Sequence, residues 1–153
     1  MAQSLRKLSG IFVAFFISTV ANAGWDDYKP YTLAAVIAEQ PHPSTADYRT
    51  TAGDFPYLVN VGFTGQRRPL LPQKRRVIEQ WVKSLRLNPG ALSLYEEEFG
   101  FLEAGVTYWL PVQQQLISHF AKELKTGDTI RLYVVWIGST KSESVFLVNE
   151  FQK

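Results

Sequence analysis

A chain of 153 residues, 46% hydrophobic and with a formal charge of only +2, suits one packed domain and crowds two. The near-neutral charge removes the compositional basis for a general polyanion binder. The absence of cysteine excludes thiol catalysis, disulfide exchange, thiolate metal sites and disulfide stapling, so the fold must hold by packing.

The first 23 residues read as a cleavable export signal. Arg6 and Lys7 supply a positive start, Leu8 to Val20 an apolar run of 13 residues, and Ala21-Asn22-Ala23 the small side chains that a signal peptidase admits. The run is short for a membrane span, and Ser9, Gly10, Ser18 and Thr19 dilute it, which disfavours the alternative of an uncleaved anchor. Cleavage after Ala23 takes Arg6 and Lys7 from the 16 basic residues, leaving 14 against 14 acidic ones over residues 24–153. The expected product is a formally neutral protein, periplasmic or secreted, with no stable membrane span.

Residues 24–56 read as an irregular N-terminal segment, with Pro30, Pro41, Pro43 and Pro56 around one short helix from Thr32 to Gln40 that Thr32 caps. Residues 57–153 read as a single α+β domain. It opens with a strand, Tyr57 to Phe63, and a turn signal at Thr64-Gly65-Gln66. The prolines of the stretch Arg67 to Pro72 exclude regular pairing, and a helix follows from Gln73 to Leu87. Its Val77, Ile78, Trp81, Val82 and Leu85 fall on one face.

Leu94 to Phe101 alternates as a strand with Tyr95, Glu97, Phe99 and Phe101 on one face and Glu96, Glu98 and Gly100 on the other, and Val106 to Leu110 is its hairpin partner. Pro111 is placed in the first turn of a helix to Leu124, with an apolar stripe of Val112, Leu116, Ile117, Phe120 and Leu124. Thr129 to Ile137 and Ser144 to Phe151 read as strands buried on both faces, joined by the loop Gly138 to Glu143. With the Gln73 to Leu87 helix set aside as an insertion, the order is three strands, a helix and two strands. That is the order of an OB-like five-stranded barrel, and a small curved α+β sheet with two to three helices shares it.

The densest charge feature is Arg67, Arg68, Lys74, Arg75 and Arg76, five cations within ten residues. Arginine forks next to a helix start can hold carboxylate, sulfate or phosphate groups, and the competing reading is a solvated face paired to acids such as Glu79. Glu96-Glu97-Glu98 cannot converge on one metal from a strand, because Glu97 points away from its neighbours. Sharing a face with aromatic rings, Glu97 is the candidate for a buried carboxyl with a raised pKa and hence a general acid. Only His42 and His119 are present, so a three-histidine zinc site is impossible, and no serine elbow or phosphate loop occurs. No catalytic residue, metal or cofactor is assigned.

Tyr95, Phe99, Phe101 and Tyr108 or Trp109 are the stacking candidates on the two central strands, unless the rings are core. The sequence therefore points to a non-enzymatic exported binding or assembly module. It would contact an acidic envelope protein or a glycan through Arg67, Arg68, Lys74, Arg75, Arg76, Tyr95, Tyr108 and Trp109. A neutral extracytoplasmic protein is poorly suited to nucleic acid. Two alternatives remain: a small hydrolase of cell-wall or extracellular polymers that uses Glu97 or another carboxylate, and a structural subunit that docks through the Pro69 to Pro72 loop.

Overall fold

The computed structural model describes residues 25–40, 42–43, 45–51 and 55–153; the export-signal reading of residues 1–23 lies outside them. The chain is α+β, built on one mixed seven-stranded sheet. Its strands are β1 (Lys29–Pro30), β2 (Tyr48–Thr50), β3 (Pro56–Pro69), β4 (Glu97–Glu103), β5 (Val106–Val112), β6 (Thr129–Thr140) and β7 (Ser144–Gln152). Among the described residues three α-helices accompany them, α1 (Leu33–Glu39), α2 (Pro72–Ser84) and α3 (Gln114–Glu123), with 3₁₀ turns at Trp25–Asp27 and Pro89–Leu94.

The strand order is β1-β3-β4-β5-β7-β6-β2, and β3 also pairs with β6 from Pro56↔Val135 to Gly62↔Thr129, so the sheet curls back on itself. It is not a closed barrel: β5 and β7 meet at a single parallel pair, Val112↔Val148. The expected five strands are corrected to seven, because the segment expected to be irregular adds an edge on each side. Lys29 and Pro30 pair in parallel with Tyr57 and Leu58, and Tyr48, Arg49 and Thr50 pair with Thr140, Ser139 and Gly138.

Two further expectations are corrected. The Thr64-Gly65-Gln66 stretch is a bulge and not a turn: the β3–β4 register slips between Phe63 and Arg67, Gly65 takes φ 73°, and pairing resumes at Arg67↔Phe99 and runs to Pro69↔Glu97. A bulge adds residues to one strand without ending it, and glycine accommodates the positive φ. Pro111 is not in a helix but in β5, opposite Glu98. A proline is tolerated there because the missing N–H lies on the edge of β5 that faces away from β4. Helix α3 begins three residues later at Gln114.

The core lies on both faces of the sheet. On the inner face Val59, Val61, Phe99, Phe101, Leu132, Val134, Phe146 and Val148 pack with Leu33 and Val36 of α1 and with Leu116 and Phe120 of α3. Phe120 is the hub of that cluster: its ring stands edge-on to Phe63, Phe99, Phe101 and Phe151 at centroid distances of 5.5, 5.3, 6.1 and 4.9 Å. Burying such a side chain is worth about 1.5–3 kcal/mol. On the outer face Val77, Ile78, Trp81 and Val82 of α2 cover Val135, Ile137, Val145 and Leu147, as the helix periodicity predicts.

The two helices that open and close the first half are anchored differently. Thr32 caps α1 by accepting from the Ala35 N–H at 3.1 Å, and the Glu103 carboxylate accepts from the Leu33 and Ala34 N–H groups at 2.9 and 3.1 Å. That ties α1 to the end of β4 and places a negative charge at its positive end. Helix α2 has no side-chain cap and starts on Pro72, and it is held instead by what its first turn carries, Lys74. Among the described residues no helix is long and apolar enough to cross a membrane.

Candidate functional site

The basic stretch singled out in the sequence divides between the end of β3 and the first two turns of α2. Between these two elements lies the outer face of β4 and β5. Arg68 is opposite Glu98 in the β3–β4 ladder, and Glu98 is opposite Pro111 in the β4–β5 ladder, so the carboxylate lies at the middle of a three-strand row. Helix α2 crosses above it and lowers Lys74 onto the row.

The result is a network of four charges. Lys74 Nζ donates to Glu98 Oε1 at 2.5 Å and to the Trp109 carbonyl at 2.7 Å, and lies 3.4 Å from Glu143 Oε1. Arg68 Nε donates to Glu98 Oε2 at 2.9 Å, and its terminal nitrogen reaches Glu143 Oε1 at 3.5 Å. Lys74 and Glu98 are 1% and 0% exposed, whereas Arg68 retains 29%. Two cations and two carboxylates cancel, and the oxygens of Glu98 are each met by a different cation, which is the condition under which a buried charge pair is tolerated.

Above the network the Arg68 guanidinium lies 4.3 Å from the centroid of the Trp109 ring. A stacked arginine of this kind gains about 0.5–2 kcal/mol, more as the pair is desolvated. Gly100, opposite Trp109, supplies the floor: a Cβ there would stand 3.0 Å from Thr64 Oγ1 and 3.2 Å from Thr107 Cγ2. The part of this face that α2 leaves uncovered thus carries a flat aromatic ring and a partly exposed guanidinium stacked on it, whereas Arg67, opposite Phe99 of the inner core, points to the other side of the sheet, 57% accessible and 3.2 Å from Glu97.

The predicted site residues are therefore distributed as follows. Arg68, Lys74 and Trp109 come together around Glu98 and Glu143, whereas Arg67 pairs with Glu97 on the opposite face of β3 and β4. Arg75 and Arg76 stand on α2, half-buried and exposed, with no acid contact among the described residues. Tyr108 faces the opposite side of the sheet, packed against the inner core, and its hydroxyl pKa is raised, first by burial and then by the charge of Glu103. Tyr95 is not on the strand: it ends the 3₁₀ turn before β4, is 5% exposed, and donates to Asn149 Oδ1 at 2.5 Å. Phe99 and Phe101 are inner core.

The carboxylates are the reverse of the sequence expectation. Glu98, on the face opposite the aromatic residues of β4, is the buried one, and Glu97, the candidate buried acid, is 29% exposed and paired with Arg67. Alternation along β4 is as predicted, but which face is covered depends on where α2 lands, and that is set by tertiary packing. Glu143 is the functional-face residue that sequence reasoning did not nominate, since it sits in a short polar loop 75 positions from Arg68. His42 and His119 are apart from this face: His42 Nδ1 meets the Thr140 carbonyl at 2.9 Å, and His119 Nδ1 meets Glu123 at 3.2 Å. No three histidine or acidic side chains gather as metal ligands among the described residues.

The chain matches no protein-family model, and no curated protein is significantly similar to it.

Proposed function

We propose that this protein is an exported, non-enzymatic binding or assembly module that meets an acidic envelope protein or a glycan on the outer face of β3, β4 and β5. The observation that carries the reading is the Arg68–Trp109 stack, held from beneath by Glu98 and Glu143. Side chains whose rotamers are already fixed lose little freedom on binding, and an aromatic ring with guanidinium donors beside it suits a carboxylate-bearing peptide or an acidic sugar. Periplasmic or secreted location rests on the N-terminal sequence.

The ring of pairings β3-β4-β5-β7-β6-β3, with α3 between β5 and β6, is read as OB-like connectivity with α2 inserted after its first strand. In such barrels the faces of the second and third strands, flanked by the loops after the first and fourth, carry the ligand. Here those correspond to β4 and β5, the excursion 70–96 and the loop 141–143, which is where the network lies. The hydrolase alternative loses the burial it was built on, since Glu97 is 29% exposed and paired with Arg67 at 3.2 Å instead of enclosed among the aromatic rings.

The test is crosslinking of residues 24–153 in the native compartment, comparing the wild type with Arg75→Glu/Arg76→Glu and with Trp109→Ala. Arg68 and Lys74 are left in place because they hold the fold. Capture of one protein or glycan that both variants lose at unchanged melting temperature supports the reading. Capture that survives both, or sugar release from cell-wall polymer that Glu97→Gln abolishes, overturns it.

A further inference from the structure

We propose that two copies of this chain associate edge to edge through β5, with Thr107 on the two-fold axis. In an antiparallel pair the backbone groups of successive residues point alternately to one side of the strand and to the other. The direction on β5 follows from three contacts and one proline. Thr64 Oγ1 donates to the Gly100 carbonyl at 2.6 Å, so Gly100 turns its carbonyl toward β3 and not toward Trp109 opposite it. The Trp109 carbonyl accepts from Lys74, the Gln113 N–H donates to the Val148 carbonyl at 3.2 Å, and Pro111 has no N–H. Residues 107, 109, 111 and 113 therefore present their backbone groups to the outer edge of β5.

That edge is closed at one end and open at the other. Gln113 is taken by β7, Pro111 has nothing to donate, and the Trp109 carbonyl is capped by the Lys74 ammonium. The Thr107 N–H and carbonyl and the Trp109 N–H have no partner among the described residues, because β5 pairs with β7 only at Val112↔Val148. Exposed strand edges are usually protected by a lysine, a proline or an inward charge, and Gly105 to Leu110 contains none of these. The exposed large hydrophobic side chains of the described chain are Leu102, at 44%, and Val106, at 50%, and both flank this edge.

A second copy fits the edge in one register. With Thr107 opposite Thr107 of the second copy, each donates to the other's carbonyl, and each Trp109 N–H meets the carbonyl of Gly105 in the second copy. Val106 then lies beside Tyr108 of the second copy, which covers its exposed methyls, and Trp109 lies beside Gly105, where no side chain obstructs the indole. Leu102, opposite Thr107 in the hairpin, extends the same row on the outer face. The flanking charges are already neutralised within each copy, Arg67 by Glu97 and the Arg68–Lys74 pair by Glu98 and Glu143, so the approach brings no unbalanced like charges together. The contact is smaller than a stable standard interface and makes a weak, reversible dimer.

Sedimentation velocity of residues 24–153 over a rising concentration series tests this, with amide exchange read at Thr107 and Trp109. A monomer–dimer equilibrium is expected, with both amides gaining protection as dimer forms. Thr107→Pro removes an outward N–H and no ladder bond to β4, and Val106→Lys places a charge at the edge; each should weaken dimerisation about tenfold or more. If Thr107→Pro fails to fold, Val106→Lys decides. A wild type that stays monomeric throughout, a dimer that Val106→Lys leaves intact, or protection of these amides only on adding a different protein overturns the proposal.

Discussion

Lys74 Nζ lies 2.5 Å from Glu98 Oε1 with both side chains sealed from water, so the inserted helix α2 is fastened to the sheet by a charge pair as well as by its apolar face. Removing one member leaves the other buried and uncompensated, which costs about 3–5 kcal/mol in such sites. Lys74→Met is expected to lower stability by that amount in urea titration, and Glu98→Gln by less, because the amide oxygen still accepts one hydrogen bond. The two together should cost less than their sum, a coupling that a double-mutant cycle reads directly. Additive losses would mean that the pair contributes nothing beyond packing.

A second buried polar group guards the weakest point of the sheet. Gln113 and Asn149 each follow the single pair Val112↔Val148, and Tyr95 joins them: its hydroxyl donates to Asn149 at 2.5 Å and accepts from Gln113 Nε2 at 3.3 Å. Tyr95→Phe leaves both amides short of a partner and is expected to cost about 1–3 kcal/mol at neutral pH. Burial also raises the tyrosine pKa above its usual 10.0. A raised folded value means that the stabilisation is complete below pH 10.0 and is lost as pH rises through the folded pKa. Chemical denaturation across alkaline pH should therefore show a steeper loss in the wild type than in the phenylalanine variant, which keeps only the contributions of the other raised tyrosines, Tyr31, Tyr57 and Tyr108.

At the acid end the informative group is Asp128. Its carboxylate accepts from Lys153 Nζ and from the Lys125 N–H, both at 2.8 Å, and these bonds, the Lys153 one foremost, hold its pKa below the ordinary aspartate value. A depressed folded pKa gives stabilisation that is present above the unfolded value and lost as pH falls through the folded one. Asp128→Asn should be less stable than wild type at neutral pH, and the gap should narrow as the solution is acidified through the carboxylate range. A gap independent of pH would show that the charge is not what Asp128 contributes.

The β4–β5 hairpin turns on Ala104 and Gly105, with φ 48° and 80°, the left-handed pair of a two-residue type I′ connection. Glycine adopts this region without cost and alanine does not. Ala104→Asn supplies the preferred Asn-Gly turn and is expected to stabilise by about 0.5–1 kcal/mol, raising the melting temperature without altering the register from Glu103↔Val106 onward.

What the sequence makes legible here is what periodicity and local chemistry control. Val77, Ile78, Trp81 and Val82 repeat at helical spacing and are the face that α2 buries; Thr32 is a cap because only the local backbone decides it; β6 and β7 are apolar on both faces because helices or strands cover both. The site was legible in composition but not in pairing. Arg67, Arg68 and Lys74 look like a free basic run in the sequence, yet their partners Glu97, Glu98 and Glu143 lie 24 to 75 positions away and are brought in by strand register. Pro69 and Pro111 misled for one reason: a proline bars hydrogen bonding on only one side of a strand, and which side is free depends on neighbours that the local sequence does not name.

Gly138 carries the last prediction. It has φ 153°, follows a bulge between Trp136 and Gly138 opposite β7, and is paired with Thr50 of β2. A Cβ at this position would stand 2.1 Å from the Arg49 carbonyl oxygen and 2.9 Å from the Thr50 Cα, both backbone atoms that no side-chain rotation can clear. Gly138→Ala must therefore push β2 off the sheet or distort β6, and β2 is the element with less to lose, since three pairs hold it. The expected cost is about 2–4 kcal/mol. Because the Thr51 N–H donates to the Ile137 carbonyl at 3.0 Å, its hydrogen exchange reports whether β2 has detached. Exchange that accelerates at Thr51 while core amides such as those of Leu132 and Val134 stay protected is the signature of local release. Uniform acceleration across β6 would instead show that the strain is borne by the central strand.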